Sequence, residues 1–276
     1  MLNVDVESEQ KMVAYFYIDE TYIETENRKH VAVDAIFPKN PMEAALEMVK
    51  VKAELGFAPL DEVKLNTSGL KIDSKIKLTD GVLNILVDCI AFISIVEGED
   101  KQKAAEASAM QVFDYCVQNN IEAFVLYFDK DLVPRTRDFE KFARARFAER
   151  STCIGIHHLN SSGDQLIQCC DVFLGLYRLS MEVEFGSRII TRKIYRQEHE
   201  VEEEWNLSDY VVLSMRGQLW GEQKRVKVYE EPEYEDTFLP YHCSLNLGFR
   251  IDSNISQETR QLLEDKLATV YMGCLS

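Results

Sequence analysis

Apolar segments recur along the first two thirds of the chain, and their spacing predicts an alternation of strands and helices. The run from Val13 to Ile18 is rich in β-forming residues and leads directly into Asp19 and Glu20. A run this apolar is typical of a strand buried on both faces, at the centre of a sheet. The predicted strands are 12–19, 30–37, 89–96, 121–128 and 152–158, and the predicted helices are 42–55, 73–87, 101–118, from Pro134 to about 150, and 163–181.

This order of elements predicts an α/β domain in residues 1–186, with an opening hairpin and a mixed sheet flanked by helices. The segment 61–69 is polar and short, which favours an edge strand and a turn. The character of the chain changes after Phe185, and residues 187–276 are expected to form a C-terminal α+β appendage packed on the first domain. Its strand-like stretches are 210–215, 224–229 and 244–249, and Ser256 is placed to cap a short final helix.

Composition places the chain among globular proteins, with 46% hydrophobic and 28% charged residues. No apolar run approaches the roughly 18 residues that a membrane helix needs, and the first ten residues lack the pattern of a signal peptide. The seven cysteines lie mostly in apolar segments, as reduced thiols do, so we expect a cytoplasmic protein without membrane contact. The net charge of -16 speaks against a surface that coats nucleic acid broadly, although a local basic groove stays compatible with it.

Three carboxylates stand at the edges of apolar segments. Asp19 follows the first strand, Asp129 follows the run 124–128, and Asp171 lies within the apolar helix 163–181. Ligand sites in α/β sheets form at strand ends, so we expect these side chains to converge. Hydrolysis of a phosphodiester uses two divalent ions about 4 Å apart, and Mg²⁺ prefers such oxygen ligands. The pattern therefore predicts a carboxylate site for divalent metal.

Each carboxylate also has a structural interpretation. Asp129 lies in an Asp-Lys-Asp sequence, which is equally typical of a polar loop. Asp171 is surrounded by apolar residues on all sides of its helix, and a buried aspartate without a partner is rare. That rarity favours a functional role for Asp171.

Taken together, four short motifs resemble the domain-of-unknown-function 3800 family over about residues 12–180. Members of that family have a ribonuclease-H-like fold. The motifs are Tyr17-Ile-Asp-Glu20, Glu62-Val-Lys64, Tyr127-Phe-Asp129, and Ser161-Ser162 followed by Gln168-Cys-Cys-Asp171. The family usually continues its first motif with Ser-Gly, where this chain has Thr21-Tyr22.

The resemblance implies a nuclease that uses Mg²⁺ or Mn²⁺. Carried over to this chain, it makes Asp19, Asp129 and Asp171 the metal ligands, with Glu20 or Glu62 as the fourth carboxylate.

Two further motif residues receive roles from the same resemblance. Lys64 would neutralise charge or touch a phosphate, and Gln168 would orient a ligand or the substrate.

A basic helix follows Asp129 and offers a place for a phosphate backbone. Its candidate substrate-binding residues are Arg135, Arg137, Lys141 and Arg144. Spacings of three and four put several of them on one face, although a solvated surface helix explains the same charges equally well. The aromatic residues of this helix are expected to be core contacts: Phe139, Phe142 and Phe147.

Two functional hypotheses follow. The first is a nuclease that hydrolyses RNA or DNA by two-metal catalysis. The second is a ribonuclease-H-like binding or regulatory module without turnover, in a defence or toxin-type system, with a protein partner at its acidic C-terminal part. Convergence of the three aspartates around an open site favours the first hypothesis, and a lysine such as Lys64 filling that site favours the second.

Overall fold

The computed structural model describes the chain in separate segments. They are residues 13–25, 28–65, 70–133, 135–147, 151–181, 189–196, 199–206, 210, 219 and 249–263.

A six-stranded mixed sheet forms the centre of the molecule, which confirms the predicted α/β class. Its strands are β1 (Val13–Thr25), β2 (Arg28–Pro38), β3 (Cys89–Glu97), β4 (Ala123–Asp129), β5 (Thr152–Leu159) and β8 (Phe249–Ile251). Across the sheet they follow the order β5-β4-β1-β2-β3-β8. The first three strands form an antiparallel meander, while β4 runs parallel to β1, β5 parallel to β4, and β8 parallel to β3.

Helices cover both faces of this sheet. They are α1 (Pro41–Glu54), α2 (Ile72–Leu86), α3 (Lys101–Gln118), α4 (Thr136–Arg146) and α5 (Gln165–Met181), with a short α6 at 257–263. One apolar core joins the sheet to α1, α2 and α5, and a second joins it to α3 and α4. Because side chains alternate along a strand, Phe16 and Ile18 enter the second core while Tyr17 packs against the first. Each of these helices is too short or too polar to cross a bilayer.

The first strand is longer than predicted. It continues through Asp19 and Glu20 to Thr25, so the prediction that it ends at residue 19 is wrong. The reason is the hairpin partner: β2 pairs with β1 as far as Thr25, and Ile23 is buried among otherwise polar neighbours. Asp19 therefore lies inside a strand, at the place where the strand outruns its other neighbour, β4.

Two other predicted boundaries differ from the structure. Residues 61–65 form no strand, because Val63 and Leu65 turn inward to the core instead of pairing with a neighbouring strand. Helix α4 ends at Arg146, short of the predicted limit near 150. The segments 66–69 and 148–150 lie outside the described residues.

The region after residue 187 contributes to the main sheet as well as forming its own. Strands β6 (Ile189–Arg196) and β7 (His199–Asn206) pair as an antiparallel ribbon, and β8 adds the sixth strand beside β3. Thr259 N donates to Ser256 Oγ at 3.2 Å, which confirms the predicted cap of α6. The predicted strand 224–229 lies outside the described residues, as do all but Tyr210 of the predicted strand 210–215 and all but Phe249 of the predicted strand 244–249. Tyr210 is helical, and Phe249 is the first residue of β8.

Candidate metal centre

Three carboxylates meet where the parallel pairing of β1 and β4 ends. The last paired residues are Ile18 and Phe128, and the next position on each strand is an aspartate. Ligand oxygens of Asp19, Glu20 and Asp129 all lie within 4.8 Å of one another. The sequence prediction that Asp19 and Asp129 converge therefore has a direct structural counterpart.

Asp19 is almost fully buried, and backbone groups fix its position. Its Oδ1 accepts a hydrogen bond of 2.8 Å from Glu20 N, while its own N–H donates at 3.2 Å to Oδ1 of Asp34 across the hairpin. Burial raises the pKa of Asp19 well above its usual range, and repulsion from Asp171, Glu20 and Asp34 adds to the effect. A cation bound beside Asp19 would offset both the cost of burying its charge and the repulsion from the other carboxylates.

Asp34 is a carboxylate that the sequence analysis missed. It faces Asp19 in the β1–β2 register, is fully buried, and has a pKa raised well above the usual range, chiefly by burial. The available signal was an aspartate in the middle of the apolar strand run Val33-Asp-Ala. Its place beside Asp19 depends on the hairpin register, which the composition of the strand does not fix.

Asp171 on α5 lies near the cluster of Asp19, Glu20 and Asp129, because α5 packs on β1. Burial has the largest effect and raises the pKa of Asp171; Lys64 opposes it, and repulsion from Glu62 and Asp129 adds a smaller increase. The ammonium of Lys64 lies 3.1 Å from Asp171 Oδ2. Repulsion from Asp171 raises the pKa of Asp19, so the charges on α5 and β1 influence each other.

Glu62 and Lys64 form the rim of the site. Lys64 Nζ lies 3.1 Å from Glu62 Oε1, and the same oxygen accepts a hydrogen bond of 2.9 Å from Ser161 Oγ. Burial alone would raise the pKa of Glu62, but the hydrogen bonds from Ser161 and Lys64 lower it overall. Lys64 thus links Glu62 to Asp171, and its side chain is 43% exposed, so it lies at the mouth of the site.

Glu20 has a cationic partner that the sequence analysis did not identify. Lys101, the first residue of α3, donates to Glu20 Oε1 at 2.5 Å and lies over the ring of Tyr22. The other oxygen of Glu20, Oε2, is buried and receives no hydrogen bond from any described residue. The signal in the sequence was weak, because only the packing of α3 on the sheet brings residues 20 and 101 together.

Gln168 lies one turn before Asp171, but its amide is bonded elsewhere. Its Nε2 donates to the Ser161 carbonyl at 2.7 Å, and its Oε1 accepts from the buried Lys52 at 3.0 Å. Lys52 also donates to the Pro59 carbonyl at 2.6 Å. The structure therefore places Gln168 as a support that joins α1, α5 and the loop leading to Glu62, and does not bring its amide among the carboxylates.

The basic helix contributes only its beginning to this edge. Phe139 packs on Phe128 and Phe147 packs on Phe124, so α4 runs back along β4 away from the carboxylates. Both phenylalanines are buried core residues, as predicted, and Phe142 packs against the same core. The four basic residues are exposed, with Arg135 and Arg137 at the near end, Lys141 at the middle and Arg144 at the far end.

The donor set suits a hard divalent cation. Asp129 Oδ1 and Glu20 Oε2 are buried oxygens without a hydrogen-bond donor among the described residues. Asp19 adds a third oxygen within 4.8 Å of both residues' ligand atoms. Mg²⁺ and Mn²⁺ favour carboxylate oxygens, and Mg²⁺ commonly takes one or two carboxylates together with water and substrate phosphate. The residues present therefore fit the metal that the sequence led us to expect.

Comparison with known proteins adds no family assignment. A scan of the chain against protein-family models finds no match, and a search of curated proteins finds no similar sequence.

Proposed function

We propose that the protein is a Mg²⁺- or Mn²⁺-dependent nuclease that hydrolyses phosphodiester bonds of RNA or DNA. The observation that carries the proposal is the meeting of Asp19, Glu20 and Asp129 where the β1–β4 pairing ends, with two buried oxygens that receive no hydrogen bond from any described residue. Asp171 extends this set from α5, which is the further carboxylate that a two-metal site needs.

In this proposal, Asp19, Glu20, Asp129 and Asp171 hold the metal. A divalent ion supplies a nucleophilic water at neutral pH and stabilises charge on the leaving oxygen. The protein's own contribution is to keep the ligands fixed: the Glu20 N–H orients Asp19, and Lys101 orients Glu20.

Lys64 has a separate task in the proposal. Its ammonium pairs with Asp171 and Glu62 and stands at the mouth of the site. A phosphate that approaches the carboxylates meets this charge first, so Lys64 is placed to attract the substrate and offset repulsion from the cluster. The beginning of α4 adds exposed Arg135 and Arg137 near the same edge.

One observation favours the alternative, a module that binds without turnover. Lys64 and Lys101 already pair with Asp171, Glu62 and Glu20, so two lysines neutralise part of the cluster without metal. In a binding module these ion pairs would be permanent, whereas in the nuclease the metal competes with them.

Cleavage of end-labelled RNA and DNA oligonucleotides with Mg²⁺ or Mn²⁺ tests the choice. We expect Asp19→Asn and Asp129→Asn each to lower the rate by more than about 100-fold, since loss even of outer-shell partners costs about 10–100-fold. Asp88→Asn is the matched control, because Asp88 is an exposed carboxylate just before β3, away from the cluster. Metal binding without cleavage by the wild type would support the module, and cleavage that survives both cluster substitutions would refute the nuclease site.

A further inference from the structure

A column of stacked rings crosses three strands beside the carboxylates. Tyr17 on β1 is paired in register with Tyr127 on β4, and Tyr127 with His157 on β5. The Tyr17 and Tyr127 rings have centroids 5.1 Å apart at 14°, and the Tyr127 and His157 rings lie 5.1 Å apart at 22°. The three rings are nearly parallel and continue one another from the middle of the sheet to β5.

The next row on the same face is the metal centre. Asp19 follows Tyr17 by two residues and Asp129 follows Tyr127 by two, and residues two apart on a strand point to the same face. The two rows are separated by about 7 Å along the strands, at roughly 3.3 Å per residue. A molecule that contacts the rings therefore also lies beside the carboxylates.

The column is half-buried at one end and exposed at the other. Tyr17 packs against the core that contains α5, whereas His157 is exposed on β5, which ends the sheet in the described part of the chain. Gly155 leaves room for the imidazole, because a Cβ at this position would lie 3.0 Å from His157 Nε2. Tyr15, 37% exposed, stacks on Tyr127 with a centroid distance of 6.3 Å.

The aromatic column and the neighbouring carboxylates together indicate which class of ligand this face would bind. Flat rings that end in an exposed face bind another flat ring, and nucleic-acid bases stack on aromatic side chains in this way. The neighbouring carboxylates with metal take phosphate oxygens, and Lys64 at the mouth adds a positive charge. Bases in a duplex are already paired and stacked inside it, so only a single strand presents a free base face.

We propose that single-stranded nucleic acid binds here with a base stacked on His157, continuing the Tyr17–Tyr127–His157 column, and with its adjacent phosphate at the carboxylates. The inference rests on the proposed function for the phosphate, while the base contact is independent of cleavage. It assigns substrate selection to His157 on β5 and to Tyr15, and neither residue belongs to the four sequence motifs.

Binding of a fluorescently labelled single-stranded oligonucleotide, followed by anisotropy with Mg²⁺, tests the stacking. The measurement uses the full chain with Asp19→Asn, so that turnover does not remove the probe. In this background we expect His157→Ala to weaken binding about 10-fold, within the range for one stacked base, and His157→Phe to retain it. His158→Ala is the matched control, since His158 is equally exposed on the same strand but lies against Phe128 on the other face.

Two matched probes distinguish binding through the bases from binding through the phosphate backbone. A strand of the same length with abasic sites, and the corresponding duplex, should both bind more weakly than the intact single strand. Equal affinity for the intact, abasic and duplex probes, or no binding of any of them, would overturn the inference. So would an equal effect of His157→Ala and His158→Ala.

The two proposals fail in different ways. Cleavage by the wild type that is indifferent to His157 would leave the nuclease in place and overturn the stacking site. Binding that depends on His157, without metal-dependent cleavage by the wild type, would support the stacking site and overturn the nuclease.

Discussion

The burial of His30 predicts how much the stability of the protein falls as the pH is lowered. His30 on β2 is completely buried, shares a hydrogen bond of 3.0 Å with the hydroxyl of Tyr177, and leaves its Nδ1 without a partner among the described residues. Burial lowers the pKa of His30 from its usual 6.5 to about 4, against a weaker opposing effect of Glu97 on the neighbouring strand. The folded protein therefore holds this imidazole neutral.

The size of the effect follows from the two pKa values. Above about pH 6.5 the imidazole is neutral in both states and contributes no pH dependence. Below that value the unfolded chain takes up a proton that the folded chain refuses, so stability falls until the folded pKa is reached. A lowering from 6.5 to about 4 corresponds to about 3 kcal/mol in full, since one unit is worth about 1.4 kcal/mol. Between about pH 7.5 and 5 the loss amounts to about 2 kcal/mol.

The assay is urea denaturation of the metal-free protein across this pH range, for wild type and His30→Gln. Glutamine does not titrate and keeps a hydrogen-bonding group near Tyr177. The comparison between variants is essential, because Asp19, Asp34 and Asp171 have raised pKa values and change stability in the opposite direction on acidification. We expect the wild type to lose about 2 kcal/mol more than His30→Gln between about pH 7.5 and 5.

Parallel profiles for wild type and His30→Gln would refute the argument, since they would mean that the folded protein protonates His30 as easily as the unfolded chain does.

Three further substitutions test the packing and the electrostatics around the site. Lys52→Met should lower the free energy of unfolding by about 2–3 kcal/mol in urea denaturation, because it leaves buried acceptors such as Gln168 Oε1 without their donor. Gly81→Ala places a Cβ 2.6 Å from Val51 Cγ2, and it should lower the melting temperature through overpacking worth about 1–3 kcal/mol. Asp34→Asn should raise the stability of the metal-free protein at neutral pH, because a carboxyl with a raised folded pKa favours folding at low pH and loses that contribution as pH rises through the folded value. An unchanged unfolding free energy for Lys52→Met or Asp34→Asn, or an unchanged melting temperature for Gly81→Ala, would contradict the respective explanation.

Most strands and helices could be predicted from the sequence, because each depends on a hydrophobic pattern within its own residues. Strand β4, which carries Asp129, and helix α5, which carries Asp171, were each predicted from an apolar run of their own residues. Helix α3 occupies the predicted range 101–118. The length of β1 did not follow, because it depends on pairing with β2 across the hairpin. The same is true of β8, a three-residue strand that pairs with the distant strand β3.

Some residues of the candidate site could likewise be predicted from the sequence, and others could not. Asp19 and Asp129 were recognisable as carboxylates that follow apolar runs, and these runs end side by side where the parallel pairing of β1 and β4 stops. Asp34 and the ring column were missed, because both depend on which residues face each other across neighbouring strands. Gln168 matched a motif by type, whereas the structure shows its amide bonded to Lys52 and Ser161.

Metal binding by Asp19, Glu20 and Asp129, where the β1–β4 pairing ends, is the property from which the proposed function follows. Calorimetric titration of Mn²⁺ into the metal-free wild type and Asp129→Asn measures this directly, with Asp88→Asn as the control. We predict saturable binding by the wild type and the control, weakened at least about 10-fold in Asp129→Asn. The absence of saturable heat in the wild type, or equal affinity in Asp129→Asn, would contradict the metal centre and leave Asp19, Glu20 and Asp129 as structural groups, with Glu20 paired with Lys101.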